Sequence, residues 1–130
     1  MKTLALATAA LLTVPALALA TAAPVSAGND DDRERSGSCS GPTDWKIKAG
    51  PDDGRMEVEA EIDSNRSGHT WRWKLRHNGK VVASGVAMTH GPSGSFDVER
   101  RTGNAPGTDH YRFRAVHRAS GEVCVARVSR

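Results

Sequence analysis

Leucine is almost absent from most of this 130-residue chain, since Leu75 is the only one after residue 27. Helical bundles fill the seams between their helices with leucine, so this scarcity argues against an all-α fold. Beyond residue 27 the chain is only about 29% apolar, because 19 of its apolar residues lie within residues 1–27. Such a stretch can form one domain with a modest core, which excludes multidomain enzymes and polytopic membrane proteins.

Motifs for catalysis are also missing. No C-x-x-C motif for redox chemistry occurs, because the two cysteines are Cys39 and Cys124. Residues 91–94 (GPSG) fall one residue short of the G-x-S-x-G nucleophile elbow and lack its strand-to-helix context. Carboxylates in the alternating segments occupy outward positions, where solvent leaves them without the raised pKa of a general acid. We therefore expect no enzymatic activity and no cofactor.

The first 27 residues have the features of an export signal. Lys2 precedes an apolar run from Leu4 to Leu19, and residues 25–27 (VSA) match the small-x-small rule for cleavage. We expect cleavage after Ala27, and the alternative positions are Ala20 and Ala22. The run is short and rich in Ala and Thr for a membrane span, so a retained anchor is the less favoured alternative. The sequence predicts a secreted protein that has no membrane attachment after cleavage.

Residues 28–42 are acidic and contain no large apolar side chain. This composition predicts a flexible leader, because such a segment can bury little apolar surface. The folded domain is then expected over residues 43–130, with a net charge of +4.

From Thr43 onward, apolar residues recur at every second position, which is typical of half-buried β-strands. Seven strands are predicted, and Asn78-Gly79 marks a tight hairpin between the third and the fourth. The fourth strand, from Lys80 to Met88, has apolar residues on both faces, and Gly85 marks a candidate bulge within it. The predicted inward residues of the other six strands are Trp45, Ile47, Ala49, Met56, Val58, Ala60, Ile62, Trp71, Trp73, Leu75, Phe96, Val98, Tyr111, Phe113, Ala115, Cys124, Ala126 and Val128.

Seven short antiparallel strands indicate an all-β sandwich of two sheets. Trp73, residues 109–113 and residues 118–121 resemble positions of an immunoglobulin-like or fibronectin type III-like domain over residues 43–130. The resemblance implies that strands one, two and five form one sheet and strands three, four, six and seven the other. It also implies a tyrosine-corner role for Tyr111. The Ala-rich signal and Arg-rich strands are similar to those of small secreted actinobacterial proteins, a resemblance that implies no activity.

Cys39 and Cys124 are expected to form a disulfide, because an exported protein folds in an oxidising compartment. The immunoglobulin-like path places both at the same end of the sandwich. Phe113 stands where an antibody domain has its second intersheet cysteine, so the expected disulfide differs from the antibody one. A pair of reactive thiols is the alternative.

Outward positions on strands three, six and seven are predicted to form a basic sheet face. The opposite sheet is net acidic on its outer surface, with Lys46 and Lys48 against six carboxylates. Like charges on neighbouring strands repel unless a partner neutralises them, so we expect an anionic cell-wall polymer, acidic glycan or acidic protein. Nucleic acid is not expected, because no aromatic residues are interleaved with the cations in a known module. The six cations are Arg72, Lys74, Arg76, Arg112, Arg114 and Arg127.

Other interpretations of the same pattern stay open. The charges could serve solubility alone, or the acidic face of one copy could pair with the basic face of another in a weak, salt-sensitive dimer. From another class, the chain could inhibit a secreted hydrolase through end loops such as residues 103–107. His69, His90 and His117 are predicted at one end of the sandwich as weak candidates for metal binding, although their spacing supports no site and no metal is expected.

Overall fold

The computed structural model describes residues 32–130, and the predicted signal of residues 1–27 lies outside them. These residues contain eight β-strands and no helix, so none of the described residues forms a helix that could cross a membrane. The strands are β1 (Arg33–Ser38), β2 (Asp44–Asp52), β3 (Arg55–Asp63), β4 (Thr70–His77), β5 (Lys80–Met88), β6 (Ser95–Thr102), β7 (His110–His117) and β8 (Val123–Ser129).

All eight strands are arranged in two antiparallel sheets of four strands, in the orders β1-β2-β3-β6 and β5-β4-β7-β8. The prediction of an all-β protein with two antiparallel sheets is confirmed. Strands β2 to β8 correspond to the seven predicted strands, and each lies in the sheet to which it was assigned. The prediction of seven strands was wrong, because β1 adds an eighth.

Strand β1 lies within the segment predicted to be a flexible leader. It pairs with β2 along its whole length, although Arg33 and Arg35, which lie opposite the buried Ala49 and Ile47, are exposed. The Trp45 ring lies across Gly37, where a Cβ atom would fall 2.6 Å from Cζ2 of the indole. Backbone pairing and this aromatic contact help to hold the strand, and no alternation of apolar residues reveals it in the sequence.

The core lies between the sheets and consists of the alternating residues of β2, β3, β4, β6, β7 and β8. Trp73 stacks on Phe113 with ring centres 5.6 Å apart. Opposite Trp73, Gly85 leaves room for the indole, because a Cβ there would lie 2.9 Å from its Cζ2 atom. The prediction of a bulge at Gly85 was wrong: the glycine allows the indole of Trp73 to pack closely, and the register shift of this strand pair falls between Leu75 and Arg76.

The predicted disulfide between Cys39 and Cys124 is confirmed. It joins the residue after β1 to the second residue of β8, so it links the two sheets at one end of the sandwich. Ser40 N donates a hydrogen bond to the carbonyl of Val123 at 2.9 Å, and Val123 N donates to Ser40 Oγ at 2.9 Å. The covalent link and these bonds hold the β1 edge against β8.

Tyr111 joins the sheets near the other end. Its hydroxyl shares a hydrogen bond with Oγ1 of Thr102, which ends β6, and both residues are buried. Burial raises the pKa of Tyr111, so the phenol stays protonated at neutral pH.

Candidate anion-binding face

Six cations lie on the outer surface of the β4-β7-β8 part of one sheet, and we call these six side chains the basic face. They alternate with buried core residues along their strands. Four are exposed, and Arg76 and Arg112 are half-buried. The basic face consists of Arg72, Lys74, Arg76, Arg112, Arg114 and Arg127.

Strand register brings these cations next to one another. Arg112 lies directly opposite Arg76 on one side and Arg127 on the other, so three arginines form a row across three strands. Lys74 lies opposite Arg114 in the neighbouring row. Neighbouring strands are about 4.8 Å apart, so this is a close arrangement of like charges.

No ion pair among residues 32–130 includes a member of the basic face. The ion pair found there joins Arg101 to Asp52 at 2.6 Å, and the side chain of His77 hydrogen-bonds with that of Asp109, also at 2.6 Å. The Nε atom of Arg112 is buried and has no hydrogen-bond partner. A buried donor without an acceptor is unfavourable, so the centre of the row carries both uncompensated charge and an unsatisfied N–H group.

Five of the six cations line a concave region of about 750 Å³ on the sheet. Val86 on β5 and Val116 on β7 also line this concave region, and they lie opposite Arg72 on its two sides. This volume is in the range typical of ligand sites. The concavity therefore offers an anion several guanidinium groups together with an apolar border.

The basic surface continues round the edge of the sheet, which the sequence did not indicate. Arg127 lines a second depression, of about 390 Å³, together with Arg33, Glu34 and Arg35 of β1. These residues lie in the segment predicted to be a leader, and only the pairing of β1 with β2 brings them beside β8. No pattern in the sequence alone could have placed them there.

Charge on the other sheet is balanced differently. Lys46 and Lys48 of β2 lie opposite Glu61 and Glu59 of β3, so each cation there has a carboxylate neighbour. The pKa of Glu57 is raised, first by partial burial and then by its neighbours Asp52 and Glu99. Farther across this sheet, Glu59 and Glu61 lie opposite Glu99 and Asp97 of β6, so its outer surface is net acidic, in contrast to the basic face.

The three candidate histidines do not form a metal site in the structure. The rings of His69 and His117 stack at 4.4 Å, and His117 also stacks on Trp71 at 5.0 Å. His117 Nδ1 shares a hydrogen bond with Ser120 Oγ, and His90 pairs separately with Ser95. Within residues 32–130, no three His, Cys, Asp or Glu residues are placed to hold a metal ion.

One buried carboxylate was missed by the sequence interpretation. Asp109 is 2% exposed, and its Oδ1 atom lies 2.6 Å from Nε2 of His77. The same oxygen accepts a hydrogen bond from the backbone N–H of Ala105, and the His77 ring stacks on Tyr111. The expectation that carboxylates lie outward was wrong here, because Asp109 closes the 103–109 loop onto the end of the sandwich.

Comparison of the chain with protein-family models, with curated proteins and with solved structures finds no match in any of the three. The chemistry of the basic face is therefore what indicates a function. Guanidinium groups bind carboxylates, phosphates and sulfates through paired N–H donors, and five of the six cations are arginines.

Proposed function

We propose that this protein is a secreted, non-enzymatic binding module that contacts an anionic partner through the basic face. The partner classes are an anionic cell-wall polymer, an acidic glycan and an acidic protein. The observation that carries the proposal is a set of six neighbouring cations that make no ion pair within the described residues.

A bound anion would relieve the repulsion among these cations. In the row formed by Arg76, Arg112 and Arg127, each neighbouring pair of like charges opposes the folded arrangement. An anion bound at Arg112, whose Nε atom has no hydrogen-bond partner, would also accept hydrogen bonds from the guanidinium group. Binding energy would therefore come from interactions that the free protein lacks.

The opposite sheet carries net charge of the other sign. Lys46 and Lys48 face glutamates across β2 and β3, but Glu59 and Glu61 face Glu99 and Asp97 across β3 and β6. The sandwich therefore separates positive and negative charge onto its two outer surfaces, which solubility alone does not require.

An immunoglobulin-like fold is part of the proposal. The strand orders β2-β3-β6 and β5-β4-β7-β8 support it, as does the bond from Tyr111 on β7 to Thr102 on β6. Strand β1 would be an addition to that plan. The export-signal features of residues 1–27 and the Cys39–Cys124 disulfide support secretion.

The test measures retention of the mature protein on immobilised polyglutamate, polyphosphate and a sulfated glycan. Retention should be strong at about 50 mM NaCl and weak at about 500 mM, because salt screens the contacts. A variant with Arg76, Arg112 and Arg127 changed to Gln should lose retention on all three supports.

A matched control removes the same number of charges elsewhere. Arg55, Arg66 and Arg118 are exposed and lie outside the basic face, so changing all three to Gln gives the same net charge. This control should retain most of the binding. Equal losses in the two triple variants would show that net charge, and no particular face, is responsible.

A further inference from the structure

Strand β5 forms an edge of its sheet and has an unusual surface. From Val81 to Met88 it carries no charged side chain. Every exposed large apolar side chain among residues 32–130 lies on it: Val81, Val82, Val86 and Met88. Edge strands are usually protected by charges, proline or shortness, because their free N–H and C=O groups can pair with another chain.

The other sheet edges have such protection. Strand β1 has charged residues at its first three positions, and β1 itself packs beside β8. Strand β6 has Asp97 and three consecutive charged residues at 99–101. Within the described part of the chain, the last eight residues of β5 therefore form the longest edge stretch without a protecting charge.

The basic face begins on the strand next to this edge. Val81, Ser84 and Val86 lie opposite Arg76, Lys74 and Arg72, respectively. A strand added to β5 would lie two strand spacings, or about 10 Å, from β4. Long Arg and Lys side chains on β4 and a carboxylate on the added strand can bridge this separation, and the small Ser84 leaves the way open.

We propose that β5 is a docking edge for an extended protein segment that adds to the sheet as a fifth strand. Val86 and Met88 lie on the same sheet surface as the basic face, so the side chains of the segment that point to this surface, at every second residue, would be acidic and aliphatic in turn. Its backbone would pair with β5, its aliphatic side chains would cover Val86 and Met88, and its carboxylates would reach the basic face. This inference rests on the proposed function and narrows the partner to an acidic protein, because polymers and glycans lack both an amide backbone and aliphatic side chains.

Charge complementarity favours such a segment over a second copy of this chain. Pairing of β5 with β5 of another copy would place two basic faces in one continuous sheet, with no carboxylate to neutralise either. An acidic segment neutralises the face that it joins.

Two synthetic peptides of equal length and charge test the inference. The Glu-Val peptide repeats Glu-Ser-Val-Ser, so that Glu and Val share one surface of the strand, and the Glu-Ser peptide repeats Glu-Ser-Ser-Ser. Binding to the mature protein at low salt is measured by fluorescence anisotropy. The Glu-Val peptide should bind about tenfold more tightly or better, because burying one aliphatic side chain already contributes that much. Methylation of alternate backbone nitrogens on its pairing edge should abolish this gain.

Protein variants locate the contact. Changing Val86 and Met88 to Ser should reduce binding of the Glu-Val peptide to the level of the Glu-Ser peptide. Changing Val125 to Ser is the control, because Val125 lies on the same sheet surface but on β8, away from the β5 edge. An equal effect of Val125→Ser would place the peptide across the sheet and overturn the docking edge.

The remaining outcomes separate the two proposals. Equal binding of both peptides, unaffected by methylation, would overturn the β5 inference and leave the anionic partner standing. Failure of both peptides and of all three polyanion supports would overturn the proposed function itself. A dimer in sedimentation experiments that the Val86 and Met88 changes dissolve would show that a second copy occupies β5, against this proposal.

Discussion

Replacing Arg112 with Met should stabilise the free protein while weakening anion binding. Arg112 lies between Arg76 and Arg127 in the arginine row, and its buried Nε atom has no hydrogen-bond partner. Methionine keeps an unbranched apolar side chain of similar length but removes the charge and the unsatisfied donor. The substitution therefore separates the cost of the cation in the free state from its use in the bound state.

The expected gain follows from the spacing of the row. Two unit charges about 5 Å apart in water repel by about 0.8 kcal/mol, so losing two such repulsions at low salt contributes about 1 to 1.5 kcal/mol. Removing a buried unsatisfied donor adds a contribution of the same order. We expect a net stabilisation of about 2 to 3 kcal/mol, or roughly 8 to 20 °C in Tm for a domain of this size.

Urea unfolding followed by tryptophan fluorescence measures this change, since the chain has three tryptophans. The gain should shrink at about 1 M NaCl, where charge repulsion is screened and only the removal of the unsatisfied donor persists. Arg66→Met removes one exposed charge outside the row and is the control. Destabilisation by Arg112→Met at low salt, or a gain in stability with unchanged polyanion retention, would refute the reasoning.

Two further predictions concern the end of the sandwich that carries the disulfide. Changing both Cys39 and Cys124 to Ser opens a loop of 85 residues and should cost about 4.5 kcal/mol on the chain-entropy estimate, a large part of the total for a domain of this size. Urea unfolding should also show a larger m-value, because the unfolded chain without the disulfide is more expanded. A loss of less than about 1 kcal/mol in the free energy of unfolding would contradict the chain-entropy estimate. A reducing agent should not change the stability of the double variant. Partial burial by itself would raise the pKa of Glu122, but hydrogen bonds from Thr43 Oγ1, Thr43 N and Gly41 N, with the charge of His117, lower it below its ordinary value of 4.5. Because the folded-state pKa is the lower one, the ionised carboxylate stabilises the protein above about pH 4.5. That contribution is lost as the pH falls through the folded-state value. Glu122→Gln should therefore cost about 1 kcal/mol at pH 7 and progressively less at about pH 3, and a loss independent of pH in unfolding measurements would show that the charge is not responsible.

Much of the fold could be predicted because strand periodicity is local. Alternation such as that from Met56 to Ile62 requires one buried face, and the buried residues of β3 are those that the pattern indicated. Strand β1 could not be predicted in the same way, because its pairing with β2 depends on backbone groups and on Trp45 covering Gly37. Asp109 was missed because its partner, His77, lies 32 residues away and becomes its neighbour only across the β4-β7 pair.

For the candidate site, the sequence by itself determined which residues are cations and that they face outward, because alternate residues of a strand point to opposite sides. Tertiary structure alone decided that Arg76, Arg112 and Arg127 form one row, because register between strands depends on the packing of the whole sheet. It also placed the apolar edge of β5 beside that row and brought Arg33 and Arg35 round to Arg127. Composition and periodicity determine which side chains share one face of a strand. Which side chains become neighbours across strands depends on contacts between residues that are far apart in the chain.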